Sequence, residues 1–190
     1  SSAASDVYKR QEFNGEQLAR QGVVVVSIAY RLNVFGFFAH AMLEKEAVDG
    51  RPCANFGFLD QRMGIQWVKD NIALFGGDPA NITVFGQSAG AASALAQSVS
   101  PMNDGLFQRV IMQSGGGTGL FNRHLWSLED AQRNGARFLK YLEVESIAEA
   151  RSVPATDLLE AAMTFPACDW SGQGDDVVWA PMLSLIHISE

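Results

Sequence analysis

"NITVFGQSAGAASALAQSV", residues 81–99, changes character at Ser88. The part before it is aliphatic and β-branched, which favours a buried strand. The part after it is a run of small residues with helix periodicity and propensity, suited to packing close against a sheet. Ser88 stands at the turn between them, with Gly86 before it and Gly90 after it. A lone G-x-S-x-G has little force, since at average glycine and serine use it arises by chance in roughly one chain in twenty of this size. Its placement between a strand and a helix gives it meaning. We expect both glycines to be required because strand and helix approach closely there and any side chain would collide.

Upstream, "VVVVSIAY" at 23–30 reads as a second strand, apolar on both faces as a central parallel strand must be. "RLNVFGFFA", which follows it, reads as a loop. From Leu59 to Ile72 the residues Leu59, Met63 and Trp67, with Val68 and Ile72 beside them, recur at helical spacing and are expected to form its buried face. Gly76, Gly77 and Asp78-Pro79 end that helix in a turn. "RVIMQ" at 109–113 is a third strand. A helix over 127–142 is expected to be capped by Ser127 with Asp130 in its first turn, and another follows Pro154 over 156–163. Strands alternating with helices predict an α/β fold with a mostly parallel sheet and flanking helices.

Composition excludes several functions. The 190 residues carry a formal charge of −7 with no block of lysine or arginine, so a nucleic-acid partner is not expected. Mean hydropathy is +0.02, and no apolar run is long enough to span a bilayer. Cys53 and Cys168 lack metal-ligand or redox-motif spacing and read as core or loop thiols. Asp60, Asp78, Asp175 and Asp176 form no metal-ligand grouping and there is no Walker-type phosphate loop, so neither a metal nor another cofactor is expected.

A serine at such a turn matches the nucleophile elbow, in which a strained backbone exposes the serine oxygen. The longer run "FGGDPANITVFGQSAG", 75–90, with "FNGEQLARQGVVVVSIAYRLNVFGFFA" and "NFGFLDQRMGIQWVKDNIALFGG", resembles the type-B carboxylesterases, the cholinesterase-like branch of the α/β hydrolases. The resemblance continues more loosely from "RVIMQSGG" to "VVWAPM". It implies an incomplete α/β-hydrolase fold and a small-molecule ester as substrate. It also implies Ser88 as the acylated nucleophile and the Ala89 amide as one oxyanion donor, within an elbow formed by Gly86, Gln87 and Gly90. Gln87 stands where many relatives carry glutamate, which removes a charge beside the site. Asn33 stands where glycine is frequent, and asparagine is the residue that best tolerates a left-handed backbone after glycine. Ala29 replaces a common asparagine, with no evident compensation.

A serine needs a base. In α/β hydrolases the order along the chain is serine, acid, histidine, so His40 precedes Ser88 and is excluded, and His124 follows too soon to leave room for the acid. His187 falls in "LSLIHISE", residues 183–190, which with "SSAASDVYKRQ", residues 1–11, reads as translated sequencing adapter. We therefore expect residues 12–182 to be the hydrolase part. The acid, the histidine and the second oxyanion donor of the resembled family are expected outside it, leaving this stretch inactive alone. Ser114 in "QSGGG" reads as a turn residue, and Phe121 and Trp126 as pocket wall or core. A noncatalytic binding protein on the same scaffold, or an amidase or acyltransferase of the same fold, remain alternatives.

Overall fold

A computed structural model of the chain describes residues 15–47, 53–115, 126–166 and Trp179. Its centre is a βαβ unit. Strand β1, Thr83–Gln87, lies parallel to β2, Arg109–Gln113, with Thr83 opposite Arg109 and Gln87 opposite Gln113. A parallel pair needs a crossover connection, which runs through the helix Ala89–Val99 and a 3-10 turn at Pro101–Asn103. That helix buries Ala91, Ala92 and Ala94, whose methyl groups permit close packing.

Among the described residues four helices precede this unit: α1, Glu16–Ala19; α2, Asn33–Phe37; α3, Ala41–Glu46; and α4, Phe56–Asn71. In chain order the crossover helix is α5, and it is followed by α6, Leu128–Tyr141, α7, Ile147–Ser152, and α8, Ala155–Thr164. The Ser127 hydroxyl accepts the Asp130 amide at 3.1 Å and caps α6, as its position foretold. Helix α7 is an addition to the sequence reading. Ser146 caps it by accepting the Glu149 amide, and the Ser-x-x-Glu spacing was the available signal.

Three expectations fail for physical reasons. Residues 23–30 form no strand: β1 and β2 pair only with each other among the described residues, and Val23, Val24 and Val26 stay 40–52% exposed. Apolarity prepared the segment for a sheet, but a strand exists only where a neighbour completes its ladder. The expected loop after it contains α2. Asn33 there has φ 54°, and its Oδ1 accepts the next amide at 2.6 Å, so the left-handed tolerance of asparagine is used as expected.

The third failure concerns part of the face expected to be buried on α4, since Val68 and, just past the helix end, Ile72 are buried as expected. Met63 is 70% and Trp67 48% exposed, while Gly57, Gln61, Ile65 and Val68 are buried. Gln61 goes inside because its polar atoms are satisfied there. Its Nε2 donates to Ser93 Oγ at 3.1 Å and its Oε1 accepts from Gln97 Nε2 at 3.1 Å, while Gln97 Nε2 also reaches the Phe58 carbonyl at 2.9 Å. A hydrogen-bonded amide can occupy the core that a larger apolar residue was expected to fill. This relay ties α4 to α5. The C-terminal end of α4 passes into a 3-10 turn, Ile72–Phe75, closed by Gly76 at φ 80°.

Arg31 fixes the chain before α2 onto α4. Its amide and Nε donate to Asp60 Oδ2 at 2.9 and 2.8 Å, and its Nη2 donates to Oδ1 at 2.7 Å. The guanidinium also lies 5.4 Å from the centroid of the Phe56 ring. These bonds hold the Asp60 carboxyl below its ordinary range, the hydrogen bond from the Arg31 side chain being the main cause. A depressed carboxyl stabilises the fold fully above its ordinary value of 3.8, and that contribution shrinks below it and is lost as pH falls through the lowered native value. Asp60→Asn should therefore lower the urea midpoint at neutral pH by the equivalent of about 1 kcal/mol, solvent screening limiting a half-exposed pair. The difference from the unsubstituted protein should close below pH 3.8; a pH-independent gap would contradict the ion pair as its cause.

Aromatic packing completes the C-terminal layer. Phe138 of α6 is 1% exposed and meets the rings of Phe165 and Trp179 edge-on at 5.2 and 4.8 Å. Cys53 is buried with Leu43, Leu139 and Ile147, and burial pushes its thiol up, away from the reactive thiolate. Cys168 lies outside the described residues.

Candidate active site

Ser88 follows β1 directly and caps the start of α5 with φ 54° and ψ −115°, a backbone that L-residues rarely adopt. Strain of this kind costs of order 1–3 kcal/mol and persists only when the surroundings over-determine it. The surroundings here can be named. The Ser88 amide donates to the Gln113 carbonyl at the end of β2 at 2.9 Å, and the Ser88 carbonyl accepts the Ala92 amide at 3.1 Å. Its side chain makes no capping bond to its own helix, and the residue is exposed. The hydroxyl is thus presented to solvent from a backbone held at both ends.

Gly86 is required for space, and Gly90 is not. A Cβ on Gly86 would run into the backbone carbonyl of Gly90 and lie 2.8 Å from its Cα. No substituent there could move aside. A Cβ on Gly90 would meet nothing among the described residues. The close approach is one-sided: strand residue 86 lies against helix residue 90, and only the strand residue points its missing side chain across the gap.

Ala89 is the first residue of α5, and its amide is among those for which a helix supplies no internal acceptor. Negative charge is favoured at that end of a helix. Gln87 is the exposed last residue of β1 and adds no charge beside the serine. A hydroxyl above a helix N-terminus can serve a nucleophile whose reaction develops an oxyanion, provided a base takes its proton.

Among the described residues no candidate base stands beside Ser88. His40 caps α3, its Nδ1 accepting the Met42 amide at 3.1 Å, and its ring stacks on Phe38. Burial lowers its pKa. It lines a cavity of about 400 Å³ with Leu139, Lys140 and Glu143, and no elbow residue borders that cavity. His124, His187 and Phe121 lie outside the described residues, as do Asp175 and Asp176. Trp126, partly buried, packs against the core cluster of Ala39, Ala54 and Ala131. Asp60 is committed to Arg31, and Asp78 Oδ1 accepts the Ala80 amide at 2.8 Å in a turn. Among the described residues no three His, Cys, Asp or Glu side chains gather where they could hold a metal, and no helix is long and apolar enough to cross a membrane.

The end of β2 also takes part in the site, which no local signal announces. Ser114 has φ 52°, and the next residue, Gly115, lies under Ser88. The Gln-Ser-Gly run closing the strand says by itself only that the chain turns.

Comparison with known proteins agrees with this architecture. Residues 3–184 match the carboxylesterase family. The chain is 41% identical over 153 residues to the para-nitrobenzyl esterase of Bacillus subtilis, covering 79% of this chain and 29% of that protein. It is 42% identical over 123 residues to the fumonisin B1 esterase of Sphingopyxis macrogoltabida, covering 65% and 22%. With the mouse bile salt-activated lipase it shares 47% over 116 residues, covering 60% and 18%. Among solved structures, a thermophilic PNB esterase superposes with a TM-score of 0.69 at 34% identity, covering 85% of this chain and 31% of that one. The Geobacillus stearothermophilus carboxylesterase EST55 superposes with a TM-score of 0.64 at 41% identity, covering 80% and 30%. The chain spans less than a third of the length of these relatives. Its parallel strands and flanking helices are part of an α/β-hydrolase fold, and the chain belongs to the carboxylesterase family, in its type-B branch.

Proposed function

We propose that this chain is the nucleophile-bearing part of a longer serine hydrolase that cleaves carboxylic esters through an acyl-enzyme on Ser88. The observation that carries this reading is the exposed Ser88 at φ 54° and ψ −115° on the turn from β1 to α5. Ser88 Oγ attacks the ester carbonyl carbon while a histidine takes the hydroxyl proton, and the carbonyl electrons move to oxygen. The Ala89 amide is one donor to that oxyanion. As the intermediate collapses, the bond to the alcohol breaks and the alcohol leaves with the proton. Water, deprotonated by the same base, then attacks the acyl carbon and releases the acid and the Ser88 hydroxyl.

The histidine and its orienting acid are assigned to the longer protein, because the α/β-hydrolase order places both well after the serine. Residues 12–182 are the hydrolase part in this reading, and residues 1–11 and 183–190 are adapter translation. The chain alone is then inactive. The relatives' names specify different substrates, from para-nitrobenzyl esters to fumonisin B1, and their shared feature, the ester, is what we carry to this chain.

The test is covalent. A fluorophosphonate probe added to the longer protein should leave its adduct on the peptide containing Ser88, located by mass spectrometry. A folded protein that takes no label, or takes it on another serine, would overturn the reading and favour a noncatalytic scaffold.

A further inference from the structure

The end of β2 forms a seat for Ser88, and the seat has room for no side chain. Three consecutive residues build it. The Gln113 carbonyl receives the Ser88 amide at 2.9 Å. Ser114 adopts φ 52°, a left-handed conformation costly for a residue other than glycine or asparagine. Gly115 then lies so close to the elbow that a Cβ on it would stand 2.7 Å from the Ser88 carbonyl oxygen and 2.8 Å from the Ala91 Cβ. Gly115 itself has no positive φ. A glycine is therefore needed there for space and not for backbone freedom.

The atom that Gly115 approaches is not free to yield. The Ser88 carbonyl accepts the Ala92 amide, the first hydrogen bond of α5, and the Ser88 amide is bound to the same strand end that carries Gly115. A side chain at 115 would have to push the Ser88 peptide off its helix or lift the end of β2 away from it. Either movement rotates the backbone that aims Ser88 Oγ.

We propose that Gly115 is a positioning residue of the hydrolytic site, acting through the Ser88 backbone rather than by touching substrate. This inference rests on the assignment of Ser88 as nucleophile. With Gln113 it holds the strained elbow from the sheet side, as Gly86 does from the strand that precedes it.

The experiment uses the longer protein, p-nitrophenyl acetate as substrate and a fluorophosphonate to count active sites. Gly115→Ala should lower kcat per titrated site about 10- to 100-fold, the scale expected when a reacting group is misplaced by a fraction of an ångström to an ångström. KM should stay within about twofold, because substrate contacts are untouched. The rate of fluorophosphonate labelling should fall with kcat. Adding Ala91→Gly removes one of the two close contacts and should restore part of the rate. Should Gly115→Ala prove insoluble, the double variant is measured against the unsubstituted protein in the same way. An unchanged kcat per titrated site, with or without fewer sites, would overturn the proposal, since a merely structural glycine changes how much protein is folded and not how fast each site turns over. Persistence of label in Ser88→Ala would instead overturn the assignment beneath it, whatever Gly115→Ala does.

Discussion

Ser88→Ala in the longer protein is expected to lower kcat for a carboxylic ester by about 10⁶-fold, the loss seen when a serine hydrolase loses its nucleophile. The methyl group that remains cannot form the acyl-enzyme, so hydrolysis is left to water held near whatever oxyanion donors survive. Alanine at 88 must also adopt φ 54°, which it tolerates no better than serine. The Ser88 side chain makes no capping bond that the substitution would remove. Stability should accordingly change little while activity collapses. Kinetics and a urea melt on the same preparation check both halves, and a loss of less than about tenfold in a folded variant would show that the chemistry lies elsewhere.

Gly86→Ala is expected to destabilise the protein by about 3 kcal/mol, because a methyl there meets fixed backbone. The atoms in the way belong to Gly90, inside the first turn of α5, and the strand residue itself is paired with Met112 in the β1–β2 register. Neither partner can retreat without breaking hydrogen bonds. Gly90→Ala provides the contrast. Its new methyl faces open space among the described residues, and alanine is the better helix former by about 1 kcal/mol. Its stability should be equal to or greater than that of the unsubstituted protein. Urea midpoints of the two variants decide the matter, and equal tolerance at 86 and 90 would refute the one-sided approach of strand to helix.

That contrast also marks how far the candidate site was legible. The position of Ser88 between strand and helix, and the helix that follows it, could be read because the hydrophobic pattern changes period there. The motif treats its two glycines alike. Which of them faces the gap depends on the direction of each missing Cβ, and a pattern of residue types carries no directions. Gln113 and Gly115 were hidden for a related reason. They lie 25 and 27 residues after Ser88 in the chain and reach it only because β2 pairs with β1 in one particular register.

Elements with strong local signals follow from short windows of sequence: α5 from its small residues, α6 from the Ser127 cap, the turn after α4 from Gly76, and the left-handed Asn33 from its side chain. Each is decided within a few residues, by propensity, capping or sterics. The rest depends on contacts between distant segments. They leave 23–30 without a strand partner among the described residues, turn Gln61 inward and Met63 outward on α4, and seat Ser88 on the end of β2. Ladder pairing, amide satisfaction and close approach each require a second segment at a fixed place, and no window of sequence contains both partners.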